Sequence, residues 1–136
     1  MVTTTGRPGV VFNGVADWVY EEEVLSDTKA MYFSPDGDKL AWIEFNDTDV
    51  DVMTITHYGQ PGNLQFQYPI QTPLRYPKPG RRNPTVRVFS AAVRGVRSRL
   101  PRSVQLEPPS YFENREKIIY SVTWPTKVGI FKLCSL

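Results

Sequence analysis

Two apolar runs on either side of a tight polar turn constrain this chain more than any other feature. Residues 31–33 and 40–45 flank the segment Ser34-Pro35-Asp36-Gly37. Proline fixes its own φ near the value that the second position of a turn requires, and glycine accepts the positive φ that follows. The two runs therefore predict an antiparallel β-hairpin.

Strand patterns also dominate the rest of the chain. A short apolar run at 9–12 ends at the turn pair Asn13-Gly14, residues 51–57 alternate between two faces, and segments 85–93 and 117–124 read as further strands. The stretch 67–84 holds five prolines. Because proline cannot donate to a β-ladder, this stretch predicts an extended excursion and not a central strand.

Three adjacent carboxylates, Glu21, Glu22 and Glu23, interrupt an apolar segment. Adjacent like charges repel, and partial burial increases the repulsion, so the acids must be solvated or must bind something cationic. A solvated acidic turn is the commoner reading of a bare glutamate triplet, and a pocket for a cationic ligand group is the alternative. Side-chain chemistry alone leaves both open. We expect the flanking apolar residues to be buried and to hold the acids against a packed surface: Trp18, Val19, Tyr20, Val24 and Leu25.

The charge of the chain is unevenly distributed. Through Asp51 there are eleven acidic and three basic residues, and from Val52 onward there are three acidic and thirteen basic residues. A basic half raises the question of nucleic acid, but only Tyr76 and Phe89 interleave the charges and no nucleic-acid motif accompanies them. We expect no nucleic acid partner, and we expect the basic side chains to be solvated or paired with the acidic half. Most of them are Arg75, Lys78, Arg81, Arg82, Arg87, Arg94, Arg97, Arg99 and Arg102.

The chain has one cysteine, Cys134, and one histidine, His57. A disulfide within the chain or a Cys/His zinc site cannot be built from these two residues, and we expect neither a metal nor a cofactor. No apolar run approaches the length of a membrane span, and no signal-peptide pattern is visible at the N-terminus.

Three motifs resemble one family. Residues 13–24, Asn-Gly-Val-Ala-Asp-Trp-Val-Tyr-Glu-Glu-Glu-Val, are similar to a signature of the dipeptidyl peptidase IV family. Tyr-Pro-Lys-Pro-Gly-Arg-Arg-Asn-Pro at 76–84 and Val-Thr-Trp at 122–124 resemble the family at the expected downstream positions, and the turn at 34–37 looks like a hairpin of propeller blades. The resemblance covers roughly residues 2–124. It implies an all-β fold, a partial β-propeller of about two blades from an eight-bladed propeller.

The resemblance implies that residues 1–136 are a fragment of the N-terminal β-propeller domain and that the C-terminal α/β-hydrolase catalytic domain is absent from this chain. The sequence contains no Gly-x-Ser-x-Gly nucleophile elbow. The Ser-Asp-His triad is therefore expected elsewhere in a parent protein, a serine-type dipeptidyl peptidase. The fragment alone is not expected to be catalytic.

The same resemblance assigns roles to residues. It implies that Glu22 and Glu23 bind the free, protonated amino terminus of a peptide substrate, with Asp17, Trp18, Tyr20 and Glu21 in support. It also implies a parent that is a homodimer, that contains the rest of the propeller and the hydrolase domain, and that is extracellular, either as a type II membrane protein or secreted. The sequon Asn46-Asp47-Thr48 predicts a glycan on Asn46, whereas the proline in Asn83-Pro84-Thr85 forbids one.

Three functions stay open at this point. The chain could be a piece of an active dipeptidyl aminopeptidase, a piece of a non-catalytic, channel-associated relative, or a stand-alone propeller-derived binding module. The nucleophile serine of the full protein separates the first two. Unclosed blade edges argue against the third.

Overall fold

The structure is a computed structural model that describes residues 2–93, 102–112 and 115–124, together with the backbone of 132–134. Within these residues no helix has both the length and the apolar character needed to cross a lipid bilayer. The strands are β1 Val11–Asn13, β2 Met31–Phe33, β3 Lys39–Asn46, β4 Val52–His57, β5 Ile70–Arg75, β6 Thr85–Ala92, β7 Ser103–Leu106, β8 Ser121–Thr123 and β9 Lys132–Cys134. A π-helical turn spans Tyr20–Leu25, and single 3-10 turns span Leu64–Phe66 and Ser110–Phe112.

The main sheet is built around β3. This strand pairs antiparallel with β6 along its whole length, from Lys39 opposite Ala92 to Asn46 opposite Thr85. The outer edge of β6 pairs with β7, while β1 and β2 both pair with the other edge of β3. The sheet therefore has four antiparallel positions, as a propeller blade does, and β8 with β9 forms a second, two-stranded sheet.

The strands β1 and β2 are two halves of one interrupted strand. Between their pairings, the Ile43 backbone N–H donates to the Ala30 carbonyl (3.0 Å), and its carbonyl accepts from the Gly14 N–H (2.9 Å). A bridge between Val15 and Lys29 closes the interruption. The chain therefore leaves the sheet after Gly14, makes the acidic turn, and returns to the same strand line at Ala30.

The core lies beneath the central strands. Ala41, Ile43 and Phe45 of β3 are fully buried, and they cluster with Val86 and Val88 of β6. The opposite face of β3 is also covered. There the rings of Trp42 and Phe89 stack at 5.7 Å, and the buried Glu44 accepts from Arg87 Nε at 2.9 Å. Because both faces are covered, β3 has lost the buried–exposed alternation of a one-sided sheet.

The β4–β5 hairpin stands apart from the main sheet. Its two strands pair from Val52 opposite Arg75 to His57 opposite Ile70, and no third strand joins them among the described residues. Pro73 lies within β5, which pairs on one side only, as expected for the proline-rich stretch 67–84. Large apolar side chains are exposed along the hairpin: Val52, Ile55, Tyr58, Leu64, Tyr68 and Ile70.

The structure confirms the all-β fold class, the hairpin of β2 and β3, and the strand predicted at 85–93, which is observed as Thr85–Ala92. Gly37 has the positive φ, +72°, that the turn required. The strand predicted at 117–124 is wrong in extent, because only Ser121–Thr123 pairs, although Ile119 is buried without a strand partner. β7 has no counterpart among the predicted strands. The basic and polar stretch 92–102 predicts a loop, and most of it lies outside the described residues.

Candidate acidic ligand site

The acidic triplet lies on the π-helical turn Tyr20–Leu25, within the segment 15–29 that leaves the main sheet between β1 and β2. This segment is called the excursion below. Asp17 begins the turn: its carbonyl accepts from the Glu21 N–H (2.9 Å), and its Oδ2 accepts from the Val19 N–H (3.2 Å). Ser26 ends the turn with a left-handed φ of +52°. On this turn Glu22 and Glu23 are exposed and Glu21 is partly buried.

The buried side of the turn is held by Tyr20. Its side chain is 2% exposed, and its ring contacts that of Phe45 with centroids 4.8 Å apart. Val19, Val24 and Leu25 pack partly against the same core. The expectation that Trp18 is buried is wrong, because its side chain is 49% exposed. Residues two apart on a helical turn point to opposite sides, so burying Tyr20 turns Trp18 outward.

The acidic side of the turn faces solvent and has no cationic partner within the described part of the chain. No Lys or Arg of the described segments forms a salt bridge with Glu21, Glu22 or Glu23. The one hydrogen bond that the described residues make to a carboxylate of the triplet comes from Tyr76, whose hydroxyl donates to Glu23 Oε1 at 3.2 Å. Such a pair of exposed carboxylates can accept several N–H donors of an ammonium group.

Basic side chains are engaged elsewhere. Arg81 pairs with Asp51 at 2.5 Å, and Arg87 with Glu44. Arg75 Nη1 donates to the Val50 carbonyl at 2.7 Å. The first two contacts are ion pairs between the basic and the acidic half of the chain, as expected, whereas Arg75 binds a backbone carbonyl. Arg94, Arg97 and Arg99 lie outside the described residues.

Two carboxyls lie buried near the base of the excursion. Asp17 is 1% exposed and Asp47 is 2% exposed, and one oxygen of each, Oδ1, has no hydrogen-bond partner among the described residues. Burial raises the pKa of Asp17 to about 6, although backbone N–H groups oppose the shift. Burial, and then the charge of Asp17, raise the pKa of Asp47 to about 7, against the opposing charge of Arg75.

The described residues contain no group of three or more His, Cys, Asp or Glu side chains arranged to hold a metal ion. A lone histidine on a predicted strand is expected to fill a polar niche, but His57 is exposed on β4.

The sequon lies at the end of β3. Asn46 Oδ1 accepts from the Thr48 N–H (3.0 Å) and from the Thr48 hydroxyl (2.6 Å), so the two residues that define the sequon are in direct contact. The amide of Asn83, by contrast, donates to Glu116 at 2.7 Å.

Sequence reasoning assigned no role to Tyr76 or Asp47. In the sequence Tyr76 begins a family-like motif and is one of two aromatic residues among the basic charges, whereas its contact with Glu23 joins residues 53 positions apart. Asp47 was read only as the middle residue of a sequon. A local pattern reveals neither a long-range contact nor the burial of a polar residue, so these features had no signal in the sequence beyond their residue types.

Comparison with known proteins gives a consistent result. A family model described as the dipeptidyl peptidase IV (DPP IV) N-terminal region matches residues 1–133. The chain is 43% identical over 123 residues to venom dipeptidyl peptidase 4 of Vespula vulgaris, covering 90% of this chain and 16% of that protein. It is 39% identical over 130 residues to dipeptidyl peptidase 4 of Sus scrofa, covering 95% and 17%. The crystal structure of Porphyromonas gingivalis dipeptidyl peptidase 4 superposes with a TM-score of 0.79 at 27% identity, covering 99% of this chain and 17% of that one.

Proposed function

The chain belongs to the family of dipeptidyl peptidase IV N-terminal regions, and we propose that it is a fragment of the propeller of a dipeptidyl aminopeptidase and that it holds the free amino terminus of the peptide substrate. It spans only 16–17% of the length of these relatives. The activity is therefore proposed for the whole protein, which would supply the serine nucleophile from another part.

The observation that carries the proposal is the pair of exposed carboxylates on a turn whose other side is fixed. Glu22 and Glu23 face solvent without a basic partner among the described residues, while Tyr20 anchors the turn to the core. A peptide α-ammonium has three N–H donors, and two convergent carboxylates can accept most of them. Charge-assisted hydrogen bonds of this kind are strong once the peptide excludes water.

The mechanism that follows is positioning. Binding the amino terminus at a fixed point sets its distance to the nucleophile, so that the peptide bond after the second residue is the one presented for cleavage. Asp17 and Tyr20 hold the turn on its buried side. Glu21, which is partly buried, has the lesser, structural part.

The test uses the full-length protein and isosteric variants. Glu22→Gln and Glu23→Gln each leave the ammonium poorly paired. We expect each to lose roughly 2–5 kcal/mol of transition-state stabilisation, measured as the fall in kcat/KM for dipeptide release from a chromogenic substrate. Labelling of the nucleophile by a small fluorophosphonate, which has no ammonium, should persist. Glu21→Gln is the matched control and should have the smallest effect of the three.

Two results separate the alternatives. If both Glu22→Gln and Glu23→Gln release dipeptide at the parental rate, the proposed site is wrong and the triplet is a solvated acidic turn. Absence of fluorophosphonate labelling in the full-length parent would identify the non-catalytic, channel-associated relative instead.

We also propose that the parent is an extracellular homodimer, either membrane-anchored or secreted. The exposed apolar side chains of the β4–β5 hairpin support the dimer, because a patch of this kind is normally covered by a partner surface. Light scattering on the parent should give twice the protomer mass. Tyr68→Ser combined with Ile70→Ser should shift it toward the monomer, whereas Tyr111→Ser, away from the hairpin, should not.

A further inference from the structure

One long-range contact reaches the acidic turn from the base of the β4–β5 hairpin. Tyr76 follows the last residue of β5, and its hydroxyl donates to Glu23 Oε1 at 3.2 Å. Within the described residues, neither Glu22 nor Glu23 receives another side-chain hydrogen bond. The orientation of Glu23 therefore depends on a residue outside its own turn.

The backbone of Tyr76 is itself held in place. Its N–H donates to the Asp51 carbonyl at 3.2 Å, and the next residue, Pro77, is buried. On the preceding side, Arg75 donates to the carbonyls of Val50 (2.7 Å) and Thr48 (3.3 Å). A tyrosine side chain has only two flexible dihedrals before its hydroxyl, so a fixed backbone gives the hydroxyl a narrow range of positions.

The hydroxyl is suited to the role of a donor. Desolvation, then the charge of Glu23 and its hydrogen bond, and then the charge of Glu22 raise the pKa of Tyr76. The phenol therefore stays protonated at neutral pH, and it donates to one oxygen of Glu23. The second oxygen is left to accept a ligand N–H.

We propose that Tyr76 is a positioning residue of the amino-terminus site: its hydrogen bond holds the Glu23 carboxylate in the orientation that accepts the substrate ammonium. This inference rests on the proposed function of Glu22 and Glu23. The site would then contain residues of two elements, because Tyr76 lies at the base of the β4–β5 hairpin and Glu22 and Glu23 lie on the acidic turn.

The experiment replaces the hydroxyl alone in the full-length protein. Tyr76→Phe keeps the ring and removes the donor, and an exposed hydrogen bond of ordinary strength corresponds to about a three- to tenfold change. We expect KM for a chromogenic dipeptidyl anilide to rise by about that factor while kcat stays within about twofold, because the contact acts on binding of the amino terminus. Competitive inhibition by Ala-Ala should weaken equally, and inhibition by N-acetyl-Ala-Ala should not change. Tyr111→Phe, at a tyrosine 66% exposed and away from the hairpin, is the matched control and should leave every parameter unchanged.

A double-mutant cycle tests whether Tyr76 acts through Glu23. In a Glu23→Gln background the added Tyr76→Phe change should have almost no further effect on KM, whereas in a Glu21→Gln background its effect should persist in full. A merely structural role would give the same loss in both backgrounds, and that result would overturn the inference.

The outcomes also separate this inference from the proposed function. If Glu23→Gln weakens binding and Tyr76→Phe does not, the site stands and Tyr76 has no positioning role. If Glu23→Gln leaves KM and inhibition by Ala-Ala at parental values, the site assignment and the inference are both wrong.

Discussion

Asp17 and Asp47 are the two residues whose burial conflicts most with their chemistry. Each is almost completely buried with one oxygen unpartnered among the described residues, and burial raises the pKa of the first to about 6 and of the second to about 7. An unfolded aspartate titrates near the ordinary value of 3.8. Between pH 4 and 7 the folded state therefore binds more protons than the unfolded state.

The first prediction is the sign of the resulting pH dependence. The contribution of these two carboxyls to stability is fully present below about pH 4 and is lost as pH rises through 6 to 7, by roughly 3 kcal/mol for Asp17 and roughly 4 kcal/mol for Asp47. Asp17→Asn and Asp47→Asn keep an acceptor and cannot ionise. Thermal unfolding midpoints of the propeller in the full-length protein should fall less between pH 4.5 and 8 in either variant than in the parent.

A control with the opposite sign is available in the turn between β2 and β3. Hydrogen bonds from the Ser34 hydroxyl and then from the Asp38 N–H lower the pKa of Asp36. Its contribution is lost as pH falls through the lowered pKa, so Asp36→Asn should alter the profile only below pH 4. If the unfolding midpoint falls equally with pH in the parent, Asp17→Asn and Asp47→Asn, the two buried carboxyls are not the source of the pH dependence.

The second prediction at this scale concerns the sequon. Asn46 at the end of β3 should carry a glycan when the parent is made in a secretory host, because the Thr48 hydroxyl already contacts its side-chain oxygen. Glycosidase treatment should lower the mass of the parent by one more glycan than that of Asn46→Gln or Thr48→Ala. Asn83→Gln should leave the mass shift unchanged, and an unmodified Asn46 in mature secreted protein would count against the prediction.

At the scale of elements, the interrupted strand is the feature that positions the site. Gly14 lies where the chain leaves the sheet: its N–H donates to Ile43, its carbonyl accepts from Ala30, and its φ is +70°. A Cβ at this position would lie 3.2 Å from Met31 Cε and 3.5 Å from Trp42 Cβ. Both the backbone conformation and the space therefore require glycine.

The prediction compares two glycines of the same conformation. Gly37 has φ +72° but nothing within 4 Å of an added Cβ, so Gly37→Ala adds only backbone strain, about 1 kcal/mol. Gly14→Ala adds the same strain and also crowds Met31, and it should destabilise the propeller by about 2–3 kcal/mol. Denaturant midpoints of the full-length protein measure the difference, and equal midpoints for the two variants would show that Met31 relaxes without cost.

At the scale of the whole molecule, the described chain leaves sheet edges and apolar surface uncovered. The outer edge of β7 has no strand partner among the described residues, and β8 and β9 form a sheet of two strands. Large apolar side chains are also exposed outside the hairpin: Val15, Trp18, Phe33, Val104, Tyr111 and Tyr120. A propeller covers such edges and faces with neighbouring blades.

The isolated 136-residue chain should therefore be marginally stable and prone to self-association. Size-exclusion chromatography with light scattering should show masses above the monomer, and thermal unfolding should be broad. The complete propeller of the parent, measured in the same buffer, should unfold sharply. A monomeric isolated chain with a sharp cooperative transition would instead favour the stand-alone binding module.

The sequence by itself determined the features that depend on neighbours along the chain. The turn at Gly37, the β2–β3 hairpin and the strand at 85–92 follow from local φ preferences and side-chain alternation, and the acidic signature led to the family. Only the tertiary structure decided that Gly14 and Ala30 meet across Ile43 and that Tyr76 reaches Glu23. Those contacts depend on strand register and on the burial of Tyr20 against Phe45, which the core sets by packing residues far apart in the sequence.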